Sequence, residues 1–226
     1  MTPAGADPPA PRPGPPAGSG ADDPAGLAHL RGADPVLARL IDAVGEPRPA
    51  RRTPAGDPYA ALIWTIVGQQ LSARSARAIN ARLLDRFGGR APTPREVLDD
   101  DPDALRVAAG LSRAKTAYLR SLAEHVLDGS LQLERLPELP DEEIVAELVA
   151  IKGLGPWTAQ IFLIFHLQRA DVLPTGDVGI RRAVQRAYDL PGPPGPEQLT
   201  RIAAPWRPHR TLACRFLWRS LDNAPG

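Results

Sequence analysis

Apolar residues recur at helical spacing over most of the chain beyond residue 57, marking one buried face per segment. Ala76, Ile79, Leu83 and Phe87 form one such stripe between Ser72, a candidate cap, and Gly88, a candidate terminator. Asp57-Pro58 supplies an N-cap and a first-turn proline for the segment through Gly68. Thr93-Pro94-Arg95-Glu96 has the form of a capping box. Ser112 opens a run with Ala114, Ala117, Tyr118, Ser121 and Leu122, and Asp141 opens another with Ile144, Val145, Leu148 and Val149. Pro156 starts a very apolar helix to Gln168, which predicts a central, buried place for it. Asp177 starts a helix to about Leu190, and two more are predicted over about 196–204 and 208–222. No segment alternates with period two, so the pattern predicts an all-α fold.

Composition adds boundaries. The 226 residues suit one medium domain or two small lobes sharing a cleft, and 43% hydrophobic content supports a substantial core. Met1 to about Gly26 is dominated by Pro, Gly, Ala and Asp and lacks the apolar surface to offset the entropy of ordering. The expected organisation is a disordered tail over residues 1–33 and a folded domain over 34–222, with Glu46–Gly56 as a linker or exposed loop. Cys214 is the single cysteine, which excludes an internal disulfide or a four-cysteine cluster within one chain and makes a reducing compartment the simpler expectation. The strongly apolar stretch Ala159–Leu167 is too short to span a membrane, and the N-terminus lacks the apolar block of a secretion signal.

The most informative run is Ile151-Lys152-Gly153-Leu154-Gly155-Pro156-Trp157-Thr158-Ala159, set between two apolar helices. Its glycines permit a tight connection and close backbone approach. Gly155-Pro156 then begins a helix whose first amides have no internal partner, a start that holds a phosphate without reading base sequence. Alone, the Gly-x-Gly pattern reads more readily as an ordinary connection between helices. Its context is richer. Downstream stands Val172-Leu173-Pro174-Thr175-Gly176-Asp177-Val178-Gly179-Ile180-Arg181-Arg182; upstream stand Trp64-Thr65-Ile66-Val67-Gly68-Gln69-Gln70-Leu71-Ser72 and Gly110-Leu111-Ser112-Arg113-Ala114-Lys115. Trp206-Arg207-Pro208-His209-Arg210 and Trp218-Arg219 follow near the C-terminus.

The segment Ile151–Ala159 closely resembles the helix-hairpin-helix of the DNA glycosylase superfamily that includes endonuclease III, and the other runs resemble its 3-methyladenine DNA glycosylase II branch, over about residues 34–222. The resemblance implies a two-lobed helical fold that acts as a monomer on double-stranded DNA containing alkylated bases, excising alkylated purines. It calls for no cofactor and no metal-ligating side chain, leaves open an alkali metal ion at the hairpin carbonyls of which the sequence gives no independent sign, and places the protein in the cytoplasm with the nucleoid if the source is bacterial. In that family an aspartate after the hairpin stabilises the positive sugar of the transition state and positions or deprotonates the attacking water, and the matching residue is Asp177. From the residues alone, the stronger reading of Asp177 is an N-cap; the two roles are compatible, because a helix start favours negative charge. Members that also cleave the strand carry a lysine two residues after the second hairpin glycine, and here that position is Trp157, so the resemblance implies hydrolysis without strand cleavage.

The same resemblance makes Trp157 and Trp218 walls of a pocket for a flipped cationic base, held by cation–π attraction, and leaves Trp64 and Trp206 as core. It aligns Gln70 with the residue that fills the gap left by the flipped nucleotide. The expected DNA-binding set is Gly153, Gly155, Thr158, Gln69, Gln70, Lys152 and Arg181, with Lys115 on a helix surface or near DNA. Net charge is only +1, so a basic footprint must be local. Residues 69–90 carry Arg74, Arg77, Arg82, Arg86 and Arg90 against Asp85 alone, and residues 177–226 carry eight arginines against four acids. Such runs are commonly solvated helix faces and support a DNA grip only beside the other features. Two other readings stay open: a non-catalytic damaged-DNA-binding protein using the same hairpin, and a glycosylase for deaminated or oxidised bases.

Overall fold

A short polar cap followed by proline starts five of the helices: Asp23, Asp34, Asp57, Thr93 and Asp101 each accept a backbone N–H at a helix start with proline in the first turn. The computed structural model describes residues 23–45 and 56–222. In chain order its helices are α1 (Pro24–Ala33), α2 (Pro35–Val44), α3 (Pro58–Gly68), α4 (Ala73–Arg86), α5 (Pro94–Asp99), α6 (Pro102–Ala109), α7 (Arg113–Leu127), α8 (Asp141–Val149), α9 (Pro156–Phe165), α10 (Val178–Ala187), α11 (Pro196–Ile202) and α12 (Arg210–Asp222), with 3-10 turns at Leu133–Glu138 and Ala204–Trp206. No strand occurs among the described residues, and the fold is all-α. None of these helices is long and apolar enough to cross a membrane.

Two hydrophobic cores divide the helices. One gathers α3 to α9, with Leu62, Ile66, Leu119, Leu122, Leu148 and Phe162 at its centre. The other joins α1 and α2 to α10, α11 and α12, through Leu30, Leu37, Ile180, Val184, Trp206 and Phe216. The chain passes from the first core to the second between Val172 and Leu173, and Trp218 packs against both. This is the two-lobed arrangement anticipated above, and the loop carrying Asp177 lies at the junction.

Several boundaries differ from expectation. The assignment of residues 1–33 to a disordered tail is wrong for its last third: Asp23 caps α1, and Leu30 is fully buried against the second core. The folded unit therefore includes Asp23–Ala33 as well as the residues from Asp34 onward. Residues 1–22 and most of the expected linker, 46–55, lie outside the described residues. Helix α6 was not anticipated. Helix α9 stops at Phe165, not Gln168, because the chain turns back there: Leu167 N bonds Phe162 O, Arg169 N bonds Leu163 O, and Gln168 takes φ 55.

Asp34 welds the second core. Its Oδ1 accepts Val36 N and Leu37 N at 2.9 and 3.1 Å, and its Oδ2 accepts Trp206 Nε1 at 2.8 Å and the Tyr188 hydroxyl. Burial pushes its carboxyl pKa up, but the bonds from Trp206, Tyr188, Leu37 and Val36 outweigh that and hold it below the ordinary value of 3.8. Asp34→Ala removes a cap and orphans a buried indole N–H, at an expected cost of about 3 kcal/mol in urea unfolding. Because the folded value lies below the unfolded one, this contribution is complete above the unfolded-state pKa and is lost as pH falls through the folded value. The stability gap between wild type and Asp34→Ala should therefore close in acid; a gap independent of pH down to pH 2 would contradict the ionised role.

Candidate active site and DNA-facing hairpin

Between α8 and α9 the chain reverses through a tight hairpin. Ile151 N bonds Leu148 O at 3.1 Å, Leu154 N bonds Ile151 O at 3.0 Å, and Gly153 adopts φ 92. The two hairpin glycines have different reasons to be glycine. A Cβ on Gly153 would stand 2.0 Å from Cγ of Tyr118, so the α7 ring occupies the space a side chain needs. A Cβ on Gly155 would meet nothing within 4 Å. Gly155 caps α9 without a side-chain bond, which leaves the first amides of α9 without a capping side chain. Lys152 is exposed beside it.

That difference separates folding from binding. Gly153→Ala is expected to cost about 1–3 kcal/mol from backbone strain alone, with the Tyr118 clash added. Gly155→Ala should unfold within about 0.5 kcal/mol of wild type yet bind damaged and undamaged duplexes more weakly by one common factor. Titration of both duplexes checks this; a loss confined to damaged DNA would contradict the placement of Gly155 against phosphate.

The end of α3 meets the start of α9. Gln69 Nε2 donates to Gly153 O at 2.8 Å and to Thr158 Oγ1 at 3.0 Å. Thr158 is buried, and its hydroxyl serves this internal link, so its side chain adds no surface contact. Gln70 follows with φ 57 and is exposed, as is Leu71. Lys115 does not stand on an open helix surface: its Nζ donates to Val67 O at 2.7 Å and Gln69 O at 2.8 Å.

The carboxylate stands at the start of α10. A turn closed by Asp177 N to Pro174 O at 2.9 Å delivers it, and Oδ1 caps the helix by accepting Ile180 N at 2.7 Å. Two indoles converge on the same group: Trp157 Nε1 donates to Oδ2 at 2.7 Å, and Trp218 Nε1 donates to Oδ1 at 3.0 Å. Gly179 makes this approach possible, since a Cβ there would lie 3.0 Å from Asp177 Oδ1 and 3.3 Å from Trp218 Cδ1. Phe165 packs on Trp218 with ring centroids 5.6 Å apart. Asp177 is 8% exposed and Val178, beside it, is 57% exposed. The fold thus brings Trp157, Asp177 and Trp218 together. Phe165 was not anticipated; its place on the helix that carries Trp157 was the available signal. Among the described residues no three His, Cys, Asp or Glu side chains gather in a way that could hold a metal ion.

Several arginines of the arginine-rich stretches are paired within the protein although they stand at its surface. Arg86 forms two bonds to Asp100 and Arg90 two to Glu96, while Arg82 Nε donates to Ala109 O. Asp171 binds Arg207 and Arg210. Arg181 Nε donates to Pro194 O at 2.7 Å, an anchor for the loop before α11. Arg74 and Arg77 are exposed on the first turns of α4, on the same side of the sequence as the Gln70 turn. Trp206 is in the core as expected, whereas Trp64 is only half-buried.

A helical protein with an uncapped hairpin helix and a carboxylate at the junction of two lobes has the build of a protein that grips duplex DNA and works on what it holds. The chain belongs to the HhH-GPD superfamily of base excision DNA repair proteins, which it matches over residues 63–208. It is 36% identical over 194 residues to DNA-3-methyladenine glycosylase 1 of Schizosaccharomyces pombe, covering 85% of each chain. A structure of the 3-methyladenine DNA glycosylase of that yeast in complex with abasic DNA superposes with a TM-score of 0.82 at 35% identity, covering 88% of this chain and 98% of that one. A DNA-3-methyladenine glycosidase structure from Bacillus halodurans gives a TM-score of 0.73 at 33% identity, over 90% of this chain and 92% of that one.

Proposed function

We propose that this protein is a monofunctional DNA N-glycosylase that, as a monomer, removes alkylated purines from duplex DNA. The observation that carries the reading is the Trp157–Asp177–Trp218 cluster beside an uncapped hairpin helix. The hairpin amides and Lys152 hold the phosphate backbone irrespective of sequence. With both indole N–H groups turned on Asp177, the ring faces offer flat, electron-rich walls to a purine that carries positive charge after alkylation.

The chemistry follows from that charge. The C1′–N bond breaks with its electron pair moving to the base, which leaves as a neutral purine because it was cationic before. Positive charge develops on the sugar, and the Asp177 carboxylate stabilises it. A water adds to C1′ and its proton passes to the Asp177 carboxylate, from there to solvent. Oδ2 accepts one bond, from Trp157, and so keeps acceptor capacity for that water.

The names of the relatives support 3-methyladenine-type substrates. Incubation with methylated duplex DNA and chromatography of the released bases tests the reading. Methylpurines should appear. Tight binding with no base released would favour the non-catalytic alternative, and release confined to deaminated or oxidised bases would move the substrate class.

A further inference from the structure

Two elements of the sequence take no part in the chemistry above, yet the fold brings them together: the Gly110–Lys115 run and the first of the paired glutamines. Gly110 takes φ 74 to end α6, and Ser112 caps α7 by accepting Lys115 N at 3.1 Å. The first turn of α7 thereby carries Lys115 over the end of α3. There its Nζ bonds Val67 O and Gln69 O, carbonyls that the helix itself leaves without partners, and a cation suits that end of the helix dipole. From the other side, the Gln69 amide bonds the hairpin through Gly153 O and Thr158 Oγ1. Gln69 is thus held by its backbone to α7 and by its side chain to the hairpin. The turn it anchors needs holding: Gln70 has φ 57, and Leu71 N reaches back to Gly68 O at 3.3 Å.

We propose that Lys115 and Gln69 are positioning residues that lock the Gln70 turn to the hairpin, so that phosphate grip and insertion into the gap left by the flipped base happen as one rigid movement. This rests on the reading of Gln70 as the inserted residue. Extruding a base costs a few kcal/mol of unstacking, and a duplex that restacks pushes against whatever fills the gap. A strained turn withstands that push only if its surroundings over-determine it. Lys115 and Gln69 supply four such bonds, and neither needs to touch the substrate.

The test uses the full chain with Lys115→Met, Gln69→Met, Lys115→Arg and Gln70→Ala. Methionine keeps length and removes the donors; arginine keeps donors for two carbonyls. Three readouts are single-turnover excision from a 7-methylguanine duplex, fluorescence of a 2-aminopurine placed beside the lesion as a report of flipping, and affinity for undamaged duplex. Lys115→Met and Gln69→Met should slow excision on the order of 10²-fold and reduce the flipping signal, as expected for a misplaced element. Affinity of Lys115→Met for undamaged duplex should stay within about threefold, because the phosphate contacts remain. Lys115→Arg should recover most of the excision rate. If Lys115→Met does not fold, Gln69→Met, which removes one amide at a partly buried site, carries the test. Excision at the wild-type rate in the methionine variants, or an equal fall in the undamaged-duplex affinity of Lys115→Met, overturns the proposal. Unchanged excision in Gln70→Ala would instead remove the inserted-residue reading on which it rests.

Discussion

Asp177→Asn is expected to bind alkylated duplex DNA and to release base on the order of 10³-fold more slowly than wild type. The substitution keeps an acceptor for Ile180 N, 2.7 Å from Oδ1, so the α10 cap survives. It removes the negative charge that faces the developing positive sugar. The structure also shows that asparagine is not silent here. Oδ1 already serves Ile180 and Trp218, so the new NH2 must replace Oδ2, opposite Trp157 Nε1, where donor meets donor. That contact costs about 1–2 kcal/mol locally and turns the Trp157 ring away. The double variant Asp177→Asn/Trp157→Phe removes the clash while still lacking the charge. Single-turnover release should remain as slow in the double variant as in Asp177→Asn; recovery of excision would show that displaced Trp157, and not lost charge, was the cause. Near-normal excision in Asp177→Asn alone would leave the residue as a cap only.

The second large effect is an absence that can be measured. Borohydride added during turnover should trap no enzyme on the lesion duplex, and the DNA product should stay unnicked until alkali is added. Strand cleavage by a Schiff base needs an amine beside the sugar carbon. By the resemblance drawn from the sequence, Trp157 stands where strand-cleaving members carry that amine, and its indole N–H is spent on Asp177. Lys115 and Lys152 are the only lysines. Burial lowers the Lys115 pKa, which by itself would favour a nucleophile, but its Nζ is engaged by Val67 O and Gln69 O. Lys152 is exposed on the hairpin, before the first hairpin glycine and off the position of that amine. A trapped complex that vanishes in Lys152→Ala or Lys115→Ala would place the enzyme in the other mechanistic branch.

How much of this could be read along the chain depends on how far each cause reaches. Helix starts were legible because capping acts within three residues: Asp57, Ser72, Thr93, Ser112 and Asp177 all cap as expected. The hairpin was legible as a tight glycine turn, and the all-α class followed from periodicity. Helix α1 was missed because its local composition resembles the residues before it; what orders it is Leu30 in a core completed by Ala213 and Phe216 near the other end of the chain. The partners of the arginines were hidden for the same reason. Counts along a window cannot see that Arg86 and Arg90 meet Asp100 and Glu96, or that Arg207 and Arg210 close on Asp171.

At the site the division is sharper. The sequence by itself determined which groups are available: one carboxylate at a helix start, two indoles, two hairpin glycines and the glutamine pair. Only the tertiary structure decided their relations, namely that Trp157 and Trp218, 20 and 41 residues from Asp177, both spend their N–H on it. It also decided that Tyr118 is what forbids a side chain at Gly153, and that Thr158 and Lys115 face inward on Gln69. Caps and turns are settled by neighbours in the chain, whereas the partner of a buried donor or charge is settled by which helices pack together.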